Sequence, residues 1–182
     1  TTDAGNNWTR IGMTGQYQFY GIYFFDNQFG LLTEGRTVHK TTDGGQTWSI
    51  FHTFNTGINK IKFKNNNEGL VTALNGTFYK TSNGGATWDS VKTSYSDIFY
   101  DIYFTGSQTF VTRLGNPSSL IDINNTAAIS PKPFGAKKPL FLDDQKCISA
   151  GDLYSPGASL TVGAVYLTND GWNTAQQKII GN

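Results

Sequence analysis

Three tryptophans stand 40 residues apart, at Trp8, Trp48 and Trp88, and each closes a copy of one short phrase. The copies read Thr1-Thr2-Asp3-Ala4-Gly5-Asn6-Asn7-Trp8, Thr41-Thr42-Asp43-Gly44-Gly45-Gln46-Thr47-Trp48 and Thr81-Ser82-Asn83-Gly84-Gly85-Ala86-Thr87-Trp88. Self-similarity at this period marks a chain that stacks one supersecondary unit on the next, because no single unit can bury its own apolar faces. A degenerate fourth copy runs through Thr168, Asn169, Asp170 and Gly171, with a tryptophan, Trp172, at the second glycine position.

A second register runs in step with the first. Phe24-x-Asp26, Phe63-x-Asn65, Phe104-x-Gly106 and Phe141-x-Asp143 each begin a turn, and six residues beyond each Phe stands Gly30, Gly69, Phe110 or Cys147, opening a short apolar strand. The third unit is therefore present although its tryptophan phrase has decayed; its hairpin falls at 122–126, where Asn124 and Asn125 tolerate positive φ. Stretches such as Ile58-Asn59-Lys60-Ile61-Lys62-Phe63 alternate with period two, and no segment carries a helical period. The expected class is all-β, with blades of four antiparallel strands arranged as a β-propeller; a sandwich would not lock a tryptophan to a fixed period.

The units divide at about 17–55, 56–95, 96–135 and 136–182, preceded by a leading outer strand at 9–12. The last unit carries its own outer strand at 175–180, which leaves the leading strand unpartnered. About four blades within a single domain, forming part of a larger ring, is the expectation; a complete small ring of four or five blades is the alternative.

The phrase itself, called the box below, has the composition of a tight turn between the third and fourth strands. The Asp43 carboxylate can accept hydrogen bonds from turn amides, Gly44 and Gly45 can take positive φ, and Trp48 then covers the seam between sheets. Asn83 keeps the acceptor oxygen without the charge, which suits a structural turn and not a catalytic acid. Asp3, Gly5, Trp8, Asp43, Gly45, Thr47, Trp48, Asn83, Gly85, Thr87, Trp88 and Asp170 are accordingly read as structural. No metal is expected, since each turn offers one carboxylate and calcium takes six or more oxygens.

These blades resemble the Asp-box, or bacterial neuraminidase, repeats of sialidases, xyloglucanases, sortilin-type receptors and photosystem II assembly factors. The run from Phe63-x-Asn65 through Gly69, then Gly76 to Trp88, is most similar to the photosystem II assembly factor type, also frequent in exported bacterial proteins. The resemblance covers nearly the whole chain and implies fold far more than activity.

Composition narrows the function classes. With 182 residues, 15% charged and a net charge of +1, the chain has no field that would select a nucleic acid or an anionic membrane. Cys147 is the only cysteine, so internal disulfides are excluded and a buried small hydrophobe is expected. The opening Thr1-Thr2-Asp3 without an initiator Met, and a polar inventory of Asn, Thr, Ser and Gly, fit an exported protein, secreted, periplasmic or at the cell surface.

Ligands are expected on the face opposite the boxes, where the unit-to-unit connections meet the loops between second and third strands. Tyr20, Arg36, Tyr100, Arg113 and Tyr154 are the candidate binding residues, with Tyr17, Phe19, Glu34, Tyr95, Phe99, Asn116, Lys137, Lys138 and Asp152 around them. Aromatics with scattered polar groups suit protein or glycan surfaces. Catalysis lacks its constellations: Arg10, Arg36 and Arg113 are too few and too dispersed for a sialidase, His39 and His52 have no nucleophilic partner, and Asp26 and Asp143 occupy the repeat's own turn. Asp97 and Asp101 alone lack a structural explanation. The expected function is a non-enzymatic scaffold without cofactors that binds another protein, plausibly an envelope complex; the alternative is a carbohydrate-binding module or a fragment of a sialidase-type or glycosidase propeller.

Overall fold

The computed structural model describes residues 3–10, 18–114, 119–123, 136–143, 146–153, 162–168 and 176–179. Among them all regular structure is β-strand. The first sheet comprises β1 (Phe19–Phe24), β2 (Gly30–Glu34), β3 (Thr37–Thr41) and β4 (Ser49–Thr53), and the second β5 (Ile58–Phe63), β6 (Gly69–Ala73), β7 (Thr77–Thr81) and β8 (Asp89–Lys92). The third holds β9 (Ile98–Phe104), β10 (Thr109–Leu114) and β11 (Ser119–Asp122) among the described residues, and the fourth β12 (Ala136–Phe141), β13 (Cys147–Leu153), β14 (Val162–Thr168) and β15 (Gln176–Ile179). Every pairing is antiparallel between consecutive strands.

The sheets pack face to face in chain order: β1 and β2 on β5, β5 and β6 on β9, β10 and β11 on β12. Burial follows from this stacking. β6 is buried along its whole length because a sheet covers each of its faces, whereas the fourth strands β4 and β8 lie outermost and largely exposed. The first joint is a cluster of Leu31, Val38, Phe54, Ile58, Ile61, Phe63 and Val71, closed by Tyr23, Phe25, Phe51 and Trp88. The second gathers Leu70, Phe78, Phe99, Ile102, Val111 and Ile123, and the third Phe110, Cys147, Tyr103 and Phe141. Each fully buried Leu, Val or Phe in such a joint contributes about 1.5–3 kcal/mol.

Polar bonds cross the same joints. Lys62 and Lys64 donate from β5 and its turn to the carbonyls of Ile102 and Gly106, each at 2.8 Å, and Asn59 Nδ2 donates to Phe99 O at 3.1 Å. The Ile58 amide donates to Gly35 O at 2.7 Å and the Gly76 amide to Asp97 O at 2.8 Å, tying each loop between second and third strands to the next blade.

The second register has a steric basis. The Phe63 ring lies over Gly69, where a Cβ would meet it at 2.5 Å; Phe24 covers Gly30 in the same way. In the fourth unit Cys147 takes the glycine's place, and Phe141 instead stacks on Phe110 with centroids 4.8 Å apart. The turn after each Phe is closed by one acceptor: Asp26 Oδ1 takes the amides of Gln28 and Phe29 at 2.7 Å, Asn65 Oδ1 those of Asn67 and Glu68, and Asp143 Oδ1 that of Lys146. In the third unit, which has Gly106 there, Thr105 Oγ1 accepts from Gln108 N at 3.0 Å instead.

Some expectations are amended. Thr9 and Arg10 carry no strand pairing, and the rest of the leading strand expected at 9–12 lies outside the described residues. Asp122 closes β11 and is followed by Ile123, so only the start of the hairpin expected at 122–126 is described. The last outer strand spans Gln176–Ile179 within the 175–180 expected.

Gly69→Ala is expected to lower stability by about 1–3 kcal/mol, as overpacking against an immobile ring does, read as a reduced urea midpoint at unchanged slope. Burial pushes the Cys147 thiol up to about 12, so it is expected to resist Ellman's reagent in the folded protein and to react once urea unfolds the chain.

Candidate binding face

The three described boxes close in nearly the same way. Asp43 Oδ1 accepts from Thr47 N at 2.9 Å and from Thr41 Oγ1 at 2.7 Å, and Asp43 Oδ2 accepts from Thr47 Oγ1 at 2.5 Å. The Gly45 amide donates to Thr41 Oγ1 at 2.8 Å, with Gly44 and Gly45 at φ of 71° and 91°. Asn83 repeats the scheme: Oδ1 accepts from Thr87 N at 3.0 Å while Nδ2 donates to Thr87 Oγ1 at 2.8 Å, so the amide reverses one bond and keeps the loop. Around Asp3 the partner is Asn7, through its amide at 2.9 Å and its side chain at 2.6 Å. Asp170 lies outside the described residues.

Asp43 accepts three hydrogen bonds within the turn, and the hydroxyl and amide of Thr47, then the Thr41 hydroxyl, hold its carboxyl down at about 2. Asp26 is lowered too, by the amides of Phe29 and Gln28. The box turn and this first turn lie on one face of the blade, joined by Gly44 N to Gln28 O at 3.0 Å and, in the second blade, by Gly84 N to Asn67 O at 2.9 Å.

The opposite face carries the loops and a regular irregularity. In each innermost strand the ladder skips a residue near its start: Tyr20 in β1, the Asn59–Lys60 pair in β5, Tyr100 in β9 and Lys137 in β12. A β-bulge leaves the extra residue out of the ladder and re-aims it. Counted from each unit's Phe, Tyr20, Asn59, Tyr100 and Lys137 occupy one repeat position. Tyr20 and Tyr100 are exposed, and Tyr20 Oη donates to Gln18 Oε1 at 2.7 Å.

Beside this column Arg113 Nη1 donates to Asp97 Oδ2 at 2.7 Å, and its guanidinium lies over the Tyr95 ring at 4.6 Å. Asp101 pairs with Lys62 across the joint at 3.0 Å and accepts from Tyr103 Oη at 3.3 Å. Burial first, and then the Asp101 charge, push the Tyr103 phenol up, so it stays a donor. Asp97 and Asp101, unexplained in the sequence, thus each hold a cation, one across the β9–β10 hairpin and one across the joint to the second blade.

Phe99, expected on this face, is fully buried in the second joint; the bulge at Tyr100 reverses the alternation there, turning Phe99 inward. Arg36 is exposed on its loop, and its carbonyl accepts from Phe54 N at 2.9 Å. His39 is buried and donates to Glu34 Oε2 at 2.8 Å, and His52 packs edge-on against Phe54. Tyr17, Asn116 and Tyr154 lie outside the described residues, and Lys138 and Asp152 stand in β12 and β13.

The stacked four-stranded units define a class, the β-propeller, and known structures agree. YCF48 bound to D1 peptide superposes with a TM-score of 0.61 at 19% identity, covering 97% of this chain and 73% of that one. The GH74 enzyme of Niastella koreensis gives 0.64 at 15% identity, and the GH74 xyloglucanase of Xanthomonas campestris 0.63 at 13%. The chain covers 29% of each of those enzymes. No family model matches the sequence, and no characterised protein matches it by sequence alone. The chain is therefore a run of β-propeller blades.

Because the Asp43 carboxyl is lowered on folding, the bonds it accepts stabilise the fold fully above about pH 4, the unfolded range, and are lost as pH falls through about 2. The Thr47 amide resonance is expected to titrate with a midpoint near 2 and the Thr87 amide, facing Asn83, to stay still; Asp43→Asn should abolish the Thr47 titration.

Proposed function

We propose that this chain is a non-enzymatic Asp-box propeller module, of the bacterial neuraminidase repeat type, that binds a segment of another protein on the face opposite its boxes. The observation that carries the reading is the column of bulged inner-strand residues, in which Tyr20 and Tyr100 stand exposed at one repeat position. Amphipathic rings of this kind supply large contact area at low entropic cost, and they rank among the side chains that dominate protein interfaces. Arg113, held by Asp97 and stacked on Tyr95, adds a pre-oriented cation beside the column.

Four of the described carboxylates are already engaged, which disfavours hydrolysis by them. Asp97 and Asp101 are engaged by Arg113 and Lys62, and the first turns employ Asp26 and Asp143 in backbone bonds. A glycosidase needs two carboxyl groups free to act on one bond. The peptide bound by YCF48, a propeller of similar fold, supports a protein ligand; the GH74 neighbours, which are enzymes, make a glycan the alternative. Export to the periplasm, the cell surface or the medium, and a role in assembling an envelope complex, complete the proposal.

The test is a peptide array and a glycan array probed with the wild-type chain and with Tyr20→Ala/Tyr100→Ala. Peptide binding that the double variant weakens at least about 10-fold, one hot-spot residue's worth, is the expected result. Peptide binding unaffected by the double substitution, or binding to glycans alone, would overturn the reading.

A further inference from the structure

We propose that Asn75 is a site of spontaneous covalent modification, in which the Gly76 nitrogen displaces the side-chain amide and the turn becomes aspartyl or isoaspartyl. The chain holds two Asn-Gly pairs, Asn75-Gly76 and Asn83-Gly84. In such a pair the glycine has no Cβ to shield its nitrogen from the asparagine carboxamide. Attack forms a bond from that nitrogen to Cγ and expels the side-chain nitrogen, which leaves as ammonia with the glycine amide proton. Water then opens the succinimide ring. Opening at the side-chain carbonyl gives aspartate, and opening at the backbone carbonyl gives isoaspartate, whose main chain runs through Cβ and Cγ.

The turn itself selects the pair. Leu74, Asn75 and Gly76 join β6 to β7, and the last two sit at φ of 65° and 64°, a region that glycine and asparagine enter at the least cost. Asn83-Gly84 meets the same demand in the box, with Gly84 at 68°. Both asparagines are exposed, and both glycine amides donate to a carbonyl, Gly76 N to Asp97 O at 2.8 Å and Gly84 N to Asn67 O at 2.9 Å. The side chains separate them. Asn83 Oδ1 accepts from Thr81 Oγ1 at 2.9 Å and from Thr87 N at 3.0 Å, while its Nδ2 donates to Thr87 Oγ1 at 2.8 Å. Among the described residues the Asn75 carboxamide has no hydrogen-bond partner; the one bond its residue accepts, from Lys92 Nζ, goes to the backbone carbonyl. It can therefore turn onto the Gly76 nitrogen without giving up a side-chain bond, whereas Asn83 must break three.

The modified turn supports the loop beside it. Gly76 is buried, its carbonyl accepts from Thr93 N at 3.0 Å and from Thr93 Oγ1 at 2.8 Å, and with its amide bonded to Asp97 O it holds both ends of the 93–97 segment. That segment carries the carboxylate on which Arg113 rests. An isoaspartyl link lengthens the main chain by one carbon immediately before these bonds, and either product adds a carboxylate to the loop face. The reaction needs only water, so the inference stands apart from the peptide-binding reading.

Peptide mass spectrometry tests it. The full chain is held folded in warm, mildly alkaline buffer, sampled over days and cleaved after Lys64, Lys80 and Lys92, which places Asn75 and Asn83 in separate peptides. The spectra follow the replacement of the side-chain NH2 by OH, and isoaspartate methyltransferase labels the rearranged product. In the folded chain Asn75 is expected to convert at least about 10-fold faster than Asn83, whose side-chain bonds must break first. In urea the two rates should converge. Asn75→Gln, whose longer side chain cannot close the succinimide ring, should remove the conversion from the 65–80 peptide. Equal rates in the folded chain, an Asn75 that converts only in urea, or conversion of the 65–80 peptide that persists in Asn75→Gln overturns the inference. Because the wild-type rates decide by themselves, a variant that failed to fold would not shelter it.

Discussion

A four-stranded sheet whose second strand is apolar on both faces has no stable existence alone, and the rest of this molecule follows from that. Leu31 and Leu32, like Leu70 and Val71, are neighbours in sequence and point to opposite sides of their sheet. Each blade therefore needs a blade before it and a blade after it, and the period of the sequence is the period of that need. The residues that cross the joints, from Phe63 and Trp88 to the lysines of β5, are drawn from every strand of the unit. A change in blade angle would disturb all of them together.

The box works at the periphery of this arrangement. One phrase, closed by the same hydrogen bonds, leaves its tryptophan in three surroundings: Trp8 is 79% exposed, Trp48 meets Phe24 edge-on, and Trp88 packs between Phe54 and Phe63. Trp8 and Trp48 donate Nε1–H to Gly5 and Gly45 carbonyls at 3.0 and 2.9 Å, whereas the Trp88 Nε1 is buried without a partner. The ring of Trp88 has been drawn into the joint far enough to forfeit its hydrogen bond. Packing against two aromatic rings offsets that loss, since such pairs add about 0.5–1.5 kcal/mol each beyond their buried area against about 1–3 kcal/mol for an unsatisfied buried donor.

The strands, the box turns and the order of the sheets were legible in the sequence because all three are local and repeated. A period of two, a glycine pair and a tryptophan every 40 residues survive inspection of a single chain. The candidate face was legible only in part. Alternation read through β9 points Phe99 outward, and only the bulge at Tyr100, visible in the pairing with Arg113 and Asp101, reverses it. The ion pairs of Asp97 and Asp101 escaped for another reason: Arg113 stands on the partner strand of the same hairpin and Lys62 one repeat earlier, and residue types alone do not say which side chains face each other across a hairpin or a joint.

The repeats also separate what the fold demands from what it leaves free. Positions that build the joint stay apolar from blade to blade: Ile61 recurs as Ile22 and Ile102, with Pro139 in the fourth blade, and Phe63 as Phe24, Phe104 and Phe141. The bulged position of the innermost strand runs Tyr20, Asn59, Tyr100, Lys137: a phenol twice, an amide and an ammonium. A site under packing constraint cannot vary so widely within one architecture. The Thr33 hydroxyl, bonded to the carbonyls of Gly21 and Asn59, holds the backbone beside that column, while the side chains differ in what they do: Asn59 bonds across the joint and Tyr20 and Tyr100 stand exposed. A repeated backbone that admits different side chains at one repeat position is how a repeat architecture acquires a surface that distinguishes one partner from another.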